Sequence, residues 1–162
     1  MLPIEELLAL LLEKEVDFVI IGGVAGLAHG SARTTADLDV CYSRAPASLE
    51  TLVAALGPLK PRLRGAPANL PFKWDKRTLR AGLNFTLDTD LGPIDLLGEV
   101  AGIGGYRDAL AASETLTLFN RPCRVLTLDA LIRSKRAANR KRDREHLIEL
   151  EAVKKLRSKK RN

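Results

Sequence analysis

Carboxylates at alternate positions in a short apolar run constrain this chain more than any other feature. Asp37 and Asp39 flank Leu38, and Val40-Cys41-Tyr42 continues the run. Residues two apart on a strand share a face. A strand over Leu38 to Tyr42 therefore buries Leu38 and Val40 and leaves the two carboxylates side by side. Their repulsion is unfavourable unless cations offset it. Asp95 lies in a second apolar run, Ile94 to Leu97. If the two strands are neighbours, three carboxylates converge. Such a cluster suits one or two Mg2+ or Mn2+ ions, which take oxygen ligands. The plainer alternative makes Asp37 a cap and Asp39 a solvated edge residue.

A glycine pair precedes this motif. Asp17-Phe18-Val19-Ile20-Ile21 reads as a buried strand that ends at Gly22-Gly23, and a short helix runs from Val24 to His29, closed by Gly30. Thirteen residues separate Gly23 from Asp37. Glycine lets a backbone approach phosphate oxygens, and a helix start offers N–H donors to them. An ordinary strand-to-helix turn favours glycine as well.

The remaining pattern predicts a helix over residues 4–14, with Ile4, Leu7, Leu8, Leu11 and Leu12 on one stripe, and another over Ala47–Leu56. Gly57 to Trp74, rich in Pro, Gly and Arg, reads as a long loop. Leu83–Asp88 and Ile94–Leu97 read as strands joined around Gly92-Pro93. Thr115–Leu118 and Cys123–Leu126 read as a hairpin around Asn120-Arg121-Pro122. From Leu128 onward there is no Gly or Pro, so a long helix or a helix pair is expected, with a frayed basic tail over 154–161. This order argues for an α/β or α+β domain, a mixed sheet flanked by helices. Residues 1–126 are expected to form the core and 127–162 a C-terminal helical segment of the same domain.

The 162 residues suit one domain with a real core. Two cysteines, Cys41 and Cys123, are too few for a disulfide framework or a cysteine zinc site. With no secretory leader pattern at the start and no long apolar run, a cytoplasmic protein away from membranes is expected. The net charge of +6 makes a polyanionic partner plausible.

Continuing a helix through Leu128, Leu131 and Ile132 brings Lys135, Asn139 and Asp143 onto the same apolar face, and then Leu147 and Leu150. An inward Lys needs an anion; a triphosphate would supply one, and an acidic neighbour or a route to water would serve instead. Arg33 is placed to reach the same phosphates or to face solvent. Arg140, Lys141, Arg142 and Arg144 form either a solvated face or a platform for a nucleic-acid backbone. Aromatic residues are 4% of the chain, which argues against base-stacking platforms. His29 is expected to be structural; His146, one turn beyond Asp143, is placed either to line the site or, the preferred reading, to lie at the surface.

Ile20-Ile21-Gly22-Gly23, then Asp37-Leu38-Asp39-Val40, then Asp95 in an apolar strand together resemble the signature of the polymerase-β-like nucleotidyltransferase superfamily. Gly22 through Arg33-Thr34-Thr35-Ala36-Asp37-Leu38-Asp39 looks like its small stand-alone branch, which includes nucleotidyltransferase-like toxins of abortive-infection and type IV toxin–antitoxin systems and small antibiotic nucleotidyltransferases. The stretch Leu131 to Asp143 also resembles the toxin-like members, where a helical Lys and a later Asp complete the site. The second turn residue is Gly23, where many members have Ser.

The resemblance implies a nucleotidyltransferase fold that moves a nucleoside monophosphate from a nucleoside triphosphate to an acceptor hydroxyl. It implies Asp37, Asp39 and Asp95 as catalytic and metal-binding residues, with Mg2+ or Mn2+ as cofactor. Gly22, Gly23, Arg33, Lys135 and Asp143 would bind nucleotide. The acceptor is expected to be an RNA 3′ end, reached through the basic C-terminal helix, a protein or a small molecule. For a toxin, an antitoxin protein would be a partner. The competing reading is a non-catalytic module of the same fold that binds nucleic acid or a partner protein through its basic face.

Overall fold

A computed structural model describes residues 2–161. Seven strands form one mixed sheet in the order β3-β4-β5-β2-β1-β7-β6. Inside the sheet lies β1 (Phe18–Ile21), wholly buried, with β2 (Leu38–Tyr42), the central strand, antiparallel on one side and β7 (Arg121–Leu126) parallel on the other. Beyond β2 lies β5 (Gly92–Leu97), parallel to it. Next come β4 (Asn84–Thr89), antiparallel to β5, and at the edge the two-residue β3 (Arg62–Leu63). At the opposite edge, β6 (Ser113–Leu118) pairs antiparallel with β7.

The helices have local causes. The helix α1 (Pro3–Glu13) begins with Pro, carries Glu5 and Glu6 in its first turn, and buries Leu7, Leu8 and Leu11. The seven-residue α2 (Gly22–Ala28) starts at the first glycine, two residues earlier than expected. The helix α3 (Pro46–Leu56) buries Leu49, Leu52 and Leu56, while Val53 is only partly covered.

The stretch 57–74 is not one loop. It holds a 3-10 turn at Gly57–Leu59 and strand β3. Two six-residue helices escape the sequence reading: α4 (Lys76–Ala81), capped by the Asp75 carboxylate accepting from Thr78 N at 2.7 Å, and α5 (Tyr106–Ala111). Both hairpin turns sit earlier than expected. Asp90-Leu91 joins β4 to β5, and Phe119-Asn120 joins β6 to β7. Phe119 and Asn120 both have positive φ, as a two-residue hairpin turn matched to strand twist requires.

The C-terminal stretch resolves into a pair, α6 (Leu128–Ala138) and α7 (Lys141–Arg161). Asn139 stops α6 in the left-handed conformation that Asn tolerates well. Three residues into α7, Asp143 accepts from Arg140 N, the reciprocal half of a capping box. The helix runs to Arg161, so the basic tail is helical rather than frayed. Leu128, Leu131, Ile132 and Leu150 join the same core as the sheet. No helix among the described residues is long and apolar enough to cross a membrane. Both cysteines are buried free thiols.

Candidate active site

Strand register decides the site. β2 and β5 run parallel with Asp39 directly opposite Asp95, and Ile21, the residue before Gly22, is opposite Asp39 on the other side. Their side chains therefore lie on the same face of neighbouring strands. Burial, then the charge and hydrogen bonding of Asp95, raises the Asp39 pKa to about 7. Asp39 Oδ1 and Asp95 Oδ1 are both buried without a hydrogen-bond partner. Unpaired buried acceptors are unfavourable in an interior. Asp37, just before β2, is more open, at 43% side-chain exposure.

The glycines are required by this crowding. Gly22 has φ +65, and a Cβ there would overlap Asp39 Oδ2. A Cβ on Gly23 would stand 2.9 Å from Thr35 Oγ1, which in turn donates to Asp37 O at 3.1 Å. The glycine turn thus lets both the β2 carboxylate and the loop before β2 close onto the start of α2.

An unexpected cation lies among the acids. Arg64 extends the β3 ladder by donating from its backbone N to Thr86 O, and Thr86 is opposite Asp95. Arg64, Thr86, Asp95 and Asp39 therefore form one row across the sheet. The Arg64 guanidinium is fixed by Nη2 to Leu87 O at 2.6 Å and Nε to Asp88 Oδ1 at 3.1 Å. It also stands 3.0 Å from Asp95 Oδ1 and 3.9 Å from Asp37 Oδ2. The Asp95 contact is ionic, without hydrogen-bond alignment, which is why Oδ1 counts as unpartnered. Among the described residues no three His, Cys, Asp or Glu side chains form a ready-made metal cage; Asp37 reaches toward Arg64. The donor chemistry nevertheless fits a hard divalent cation: three carboxylates, two with buried oxygens lacking partners.

The C-terminal candidates meet one another. Lys135, 15% exposed, lies 3.3 Å from Asp143 Oδ1. Asp143, fully buried, also accepts from Arg140 through N, Nε and Nη2 at 3.1, 2.7 and 3.3 Å. Burial alone would raise its pKa; the Arg140 hydrogen bonds, aided by the charge of Lys135, hold it below the usual carboxylate range. An acidic neighbour is thus what Lys135 finds. Arg33 pairs loosely with Glu145 at 3.8 Å and stays exposed.

Two cavities adjoin at the carboxylates, and Asp39, Asp95, Lys135, Arg140 and Arg142 bound both. One, of about 290 Å³, is also lined by Ile21, Phe85, Thr86, Leu97 and Val100. The other, of about 180 Å³, is polar and lined by Gly23, Arg33, Thr34, Thr35, Asp37 and His146. His146 is buried rather than superficial. Its ring packs on Gly26, where a Cβ would stand 2.7 Å from Nε2, and burial first, then the charges of Lys135 and Arg33, lower its pKa. His29 is structural as expected: Nε2 lies 2.7 Å from Leu126 O, and Arg157 holds its other side.

The site residues not anticipated from the sequence are Arg64, Asp88, Arg140 and Glu149. Glu149 accepts from Ser31 Oγ and Ala32 N and ties α7 to the loop before Asp37. The alternation Arg62-Leu63-Arg64 ahead of Gly65 was a faint strand signal that would have placed Arg64 on a face.

The fold has solved counterparts over nearly its whole length. The solution structure of the antibiotic-resistance factor ANT(2″)-Ia matches with TM-score 0.57 at 16% identity, covering 98% of this chain and 89% of that one. The crystal structure of ANT(2″)-Ia in complex with adenylyl-2″-tobramycin matches with TM-score 0.58 at 18% identity, covering 98% and 94%. The chain therefore has the nucleotidyltransferase fold expected from its sequence. No protein-family model matches it, and no curated protein does.

Proposed function

We infer that this chain is a nucleotidyltransferase of the polymerase-β-like superfamily, moving a nucleoside monophosphate from a nucleoside triphosphate to an acceptor hydroxyl. The observation that carries this reading is the Asp39–Asp95 pair, side by side across β2 and β5, with a buried unpartnered oxygen on each and Gly22 packed against Asp39. In the reaction the acceptor oxygen bonds to the α-phosphorus, the α–β bridge breaks, and pyrophosphate leaves. A Mg2+ or Mn2+ ion held by Asp37, Asp39 and Asp95 would supply charge neutralisation and a more acidic acceptor hydroxyl.

The chain's own residues account for the rest. Asp95 would help take the proton of the acceptor hydroxyl. Gly22 and Gly23 let Asp39 and Thr35 close onto the turn, whose backbone would cradle the phosphate oxygens. Arg33, Arg140, Arg142 and Lys135 ring the polar cavity with positive charge suited to the β and γ phosphates. Asp143 serves this ring by anchoring Arg140 and Lys135. The less polar cavity, with Phe85, Val100 and Leu97, suits a nucleoside or an acceptor scaffold.

The fold shared with ANT(2″)-Ia, solved with a nucleotide joined to an aminoglycoside, supports a small-molecule hydroxyl as acceptor. An RNA acceptor is the second reading, favoured by the basic helical run Lys154 to Arg161 on α7. In a toxin–antitoxin pair, that same activity would arrest growth until an antitoxin bound.

The test is incubation with each labelled triphosphate and Mg2+, offered an aminoglycoside panel, total RNA or lysate protein. Label transfer with pyrophosphate release, abolished by Asp39→Asn, is the expected result. Equal transfer by the variant would overturn the mechanism. Magnesium-independent RNA binding without any transfer would favour a non-catalytic module. Normal growth under strong expression would count against the toxin reading.

A further inference from the structure

The acidic row across the sheet already holds a cation that belongs to the chain. Arg64 is not a loose surface side chain that happens to fall into the site. Its backbone continues the β3–β4 ladder opposite Thr86, and Thr86 is the register partner of Asp95. Its guanidinium is pinned from behind by Leu87 O and Asp88, with its side chain only 28% exposed. Those bonds leave Nη1 and Nη2 aimed at Asp37 and Asp95. Arginine stays protonated at every working pH, so this charge is permanent.

The two sides of Asp95 therefore differ. Toward Arg64, Asp95 shares a fixed positive charge with Asp37. Toward β2, its register partner Asp39 carries a buried Oδ1 with no donor, while Asp95 Oδ1 is the oxygen that meets Arg64. A guanidinium and a divalent ion compete for the same carboxylate oxygens, because both bring positive charge to within about 2–4 Å of them. Resting on the nucleotidyltransferase reading, we propose that Arg64 takes the place of a second divalent cation between Asp37 and Asp95, so that this site binds one divalent ion, at the Asp39–Asp95 pair. The residue acts as a built-in counter-charge that sets the cation stoichiometry, and its replacement opens a second seat.

The test is direct Mn2+ binding, monitored through the electron paramagnetic resonance signal of free Mn2+ in titrations of the full chain without nucleotide. Wild type is expected to bind one Mn2+. Arg64→Gln, which keeps a planar polar end without the charge, is expected to bind two, with the first at least tenfold tighter. Arg62→Gln removes a neighbouring exposed charge that pairs with Asp90, and is expected to leave the count at one. Two ions in wild type would overturn the proposal even if the Arg64 variant failed to fold. So would a variant that binds one ion with unchanged affinity. No Mn2+ binding by either protein, or binding that survives Asp39→Asn with Asp95→Asn, would instead overturn the metal-dependent reading itself and the Arg64 proposal with it.

Discussion

Asp39 and Asp143 are both acids taken out of water, and the protein treats them in opposite ways. Asp143 receives three hydrogen bonds from Arg140 and one from Lys135, and its pKa falls despite complete burial. Asp39 receives no compensating donor at Oδ1, faces Asp95, and its pKa rises to about 7. Burial does not separate a structural carboxylate from a working one. The supply of donors does. Asp143 is complete within the chain, whereas Asp39 is left without a donor at Oδ1, because Arg64 offsets its neighbour Asp95 instead.

The largest expected effects break this comparison in opposite directions. Asp39→Asn should reduce nucleotidyl transfer by on the order of a thousandfold, since it removes preorganised charge at the reacting phosphate. The same substitution should raise the melting temperature of metal-free protein at pH 8, because it deletes a repelled charge. Asp143→Asn should instead destabilise by about 3 kcal/mol, the scale for removing one partner of a buried ion pair. Urea denaturation in EDTA reads both. A destabilised Asp39→Asn, or a neutral Asp143→Asn, would mean that the two acids are alike after all.

The pH dependence sharpens the same contrast. The folded pKa of Asp39, about 7, lies above its ordinary value of 3.8. Its contribution to stability is thus fully present below about pH 4 and is lost as pH rises toward and through 7. Asp143 has a lowered pKa, so its contribution is present above the ordinary value and is lost as pH falls through the folded one. In EDTA, the melting-temperature difference between Asp39→Asn and wild type should grow from pH 5 to pH 8. A difference that stays flat over that range would remove the case for a raised Asp39 pKa.

These two acids also mark what was legible in the sequence. β1, β2 and β5 were readable because short, mostly apolar runs bounded by Gly, Pro or charge have few alternatives, and β4 because Phe85 and Leu87 alternate with polar residues. The Asp-Leu-Asp alternation and the apolar surroundings of Asp95 marked the acids, but only the parallel β2–β5 register makes Asp39 and Asp95 neighbours. Lys135 and Asp143 were placed on one face by extending a single helix. They do meet, yet across a break at Asn139, because α7 packs back against α6. His146 is buried because it shares the inward face of α7 with Asp143, three residues before it, and Leu150, four residues after it. Arg64 was hidden in a Pro- and Gly-rich stretch whose only strand is two residues long, too short for any periodicity. The six-residue α4 and α5 escaped for the same reason.

A smaller effect is expected where the glycine turn touches the acid. Gly22→Ala places a Cβ against Asp39 Oδ2 and forces a left-handed conformation on a non-glycine residue. The backbone term alone should destabilise by about 1–2 kcal/mol. The carboxylate must also move, so Mn2+ affinity should fall more than stability does. Equal Mn2+ affinity in the variant and wild type would show that Asp39 has room the packing denies it.

Arg33→Ala should change least. Arg33 lines the polar cavity, yet it is 43% exposed, and its one ion pair among the described residues, to Glu145, is long at 3.8 Å. Exposed pairs of this kind contribute about 0–1 kcal/mol, so stability should hardly change. If Arg33 faces triphosphate, the variant should raise the nucleotide KM about three- to tenfold with kcat nearly constant, the pattern of lost uniform binding. Lys135 and Arg140 differ from it because Asp143 already holds them in place. Replacing either one should disturb folding as well as nucleotide binding, whereas Arg33 should affect nucleotide alone. A kcat loss as large as that of Asp39→Asn would move Arg33 from the phosphate rim into the reacting centre.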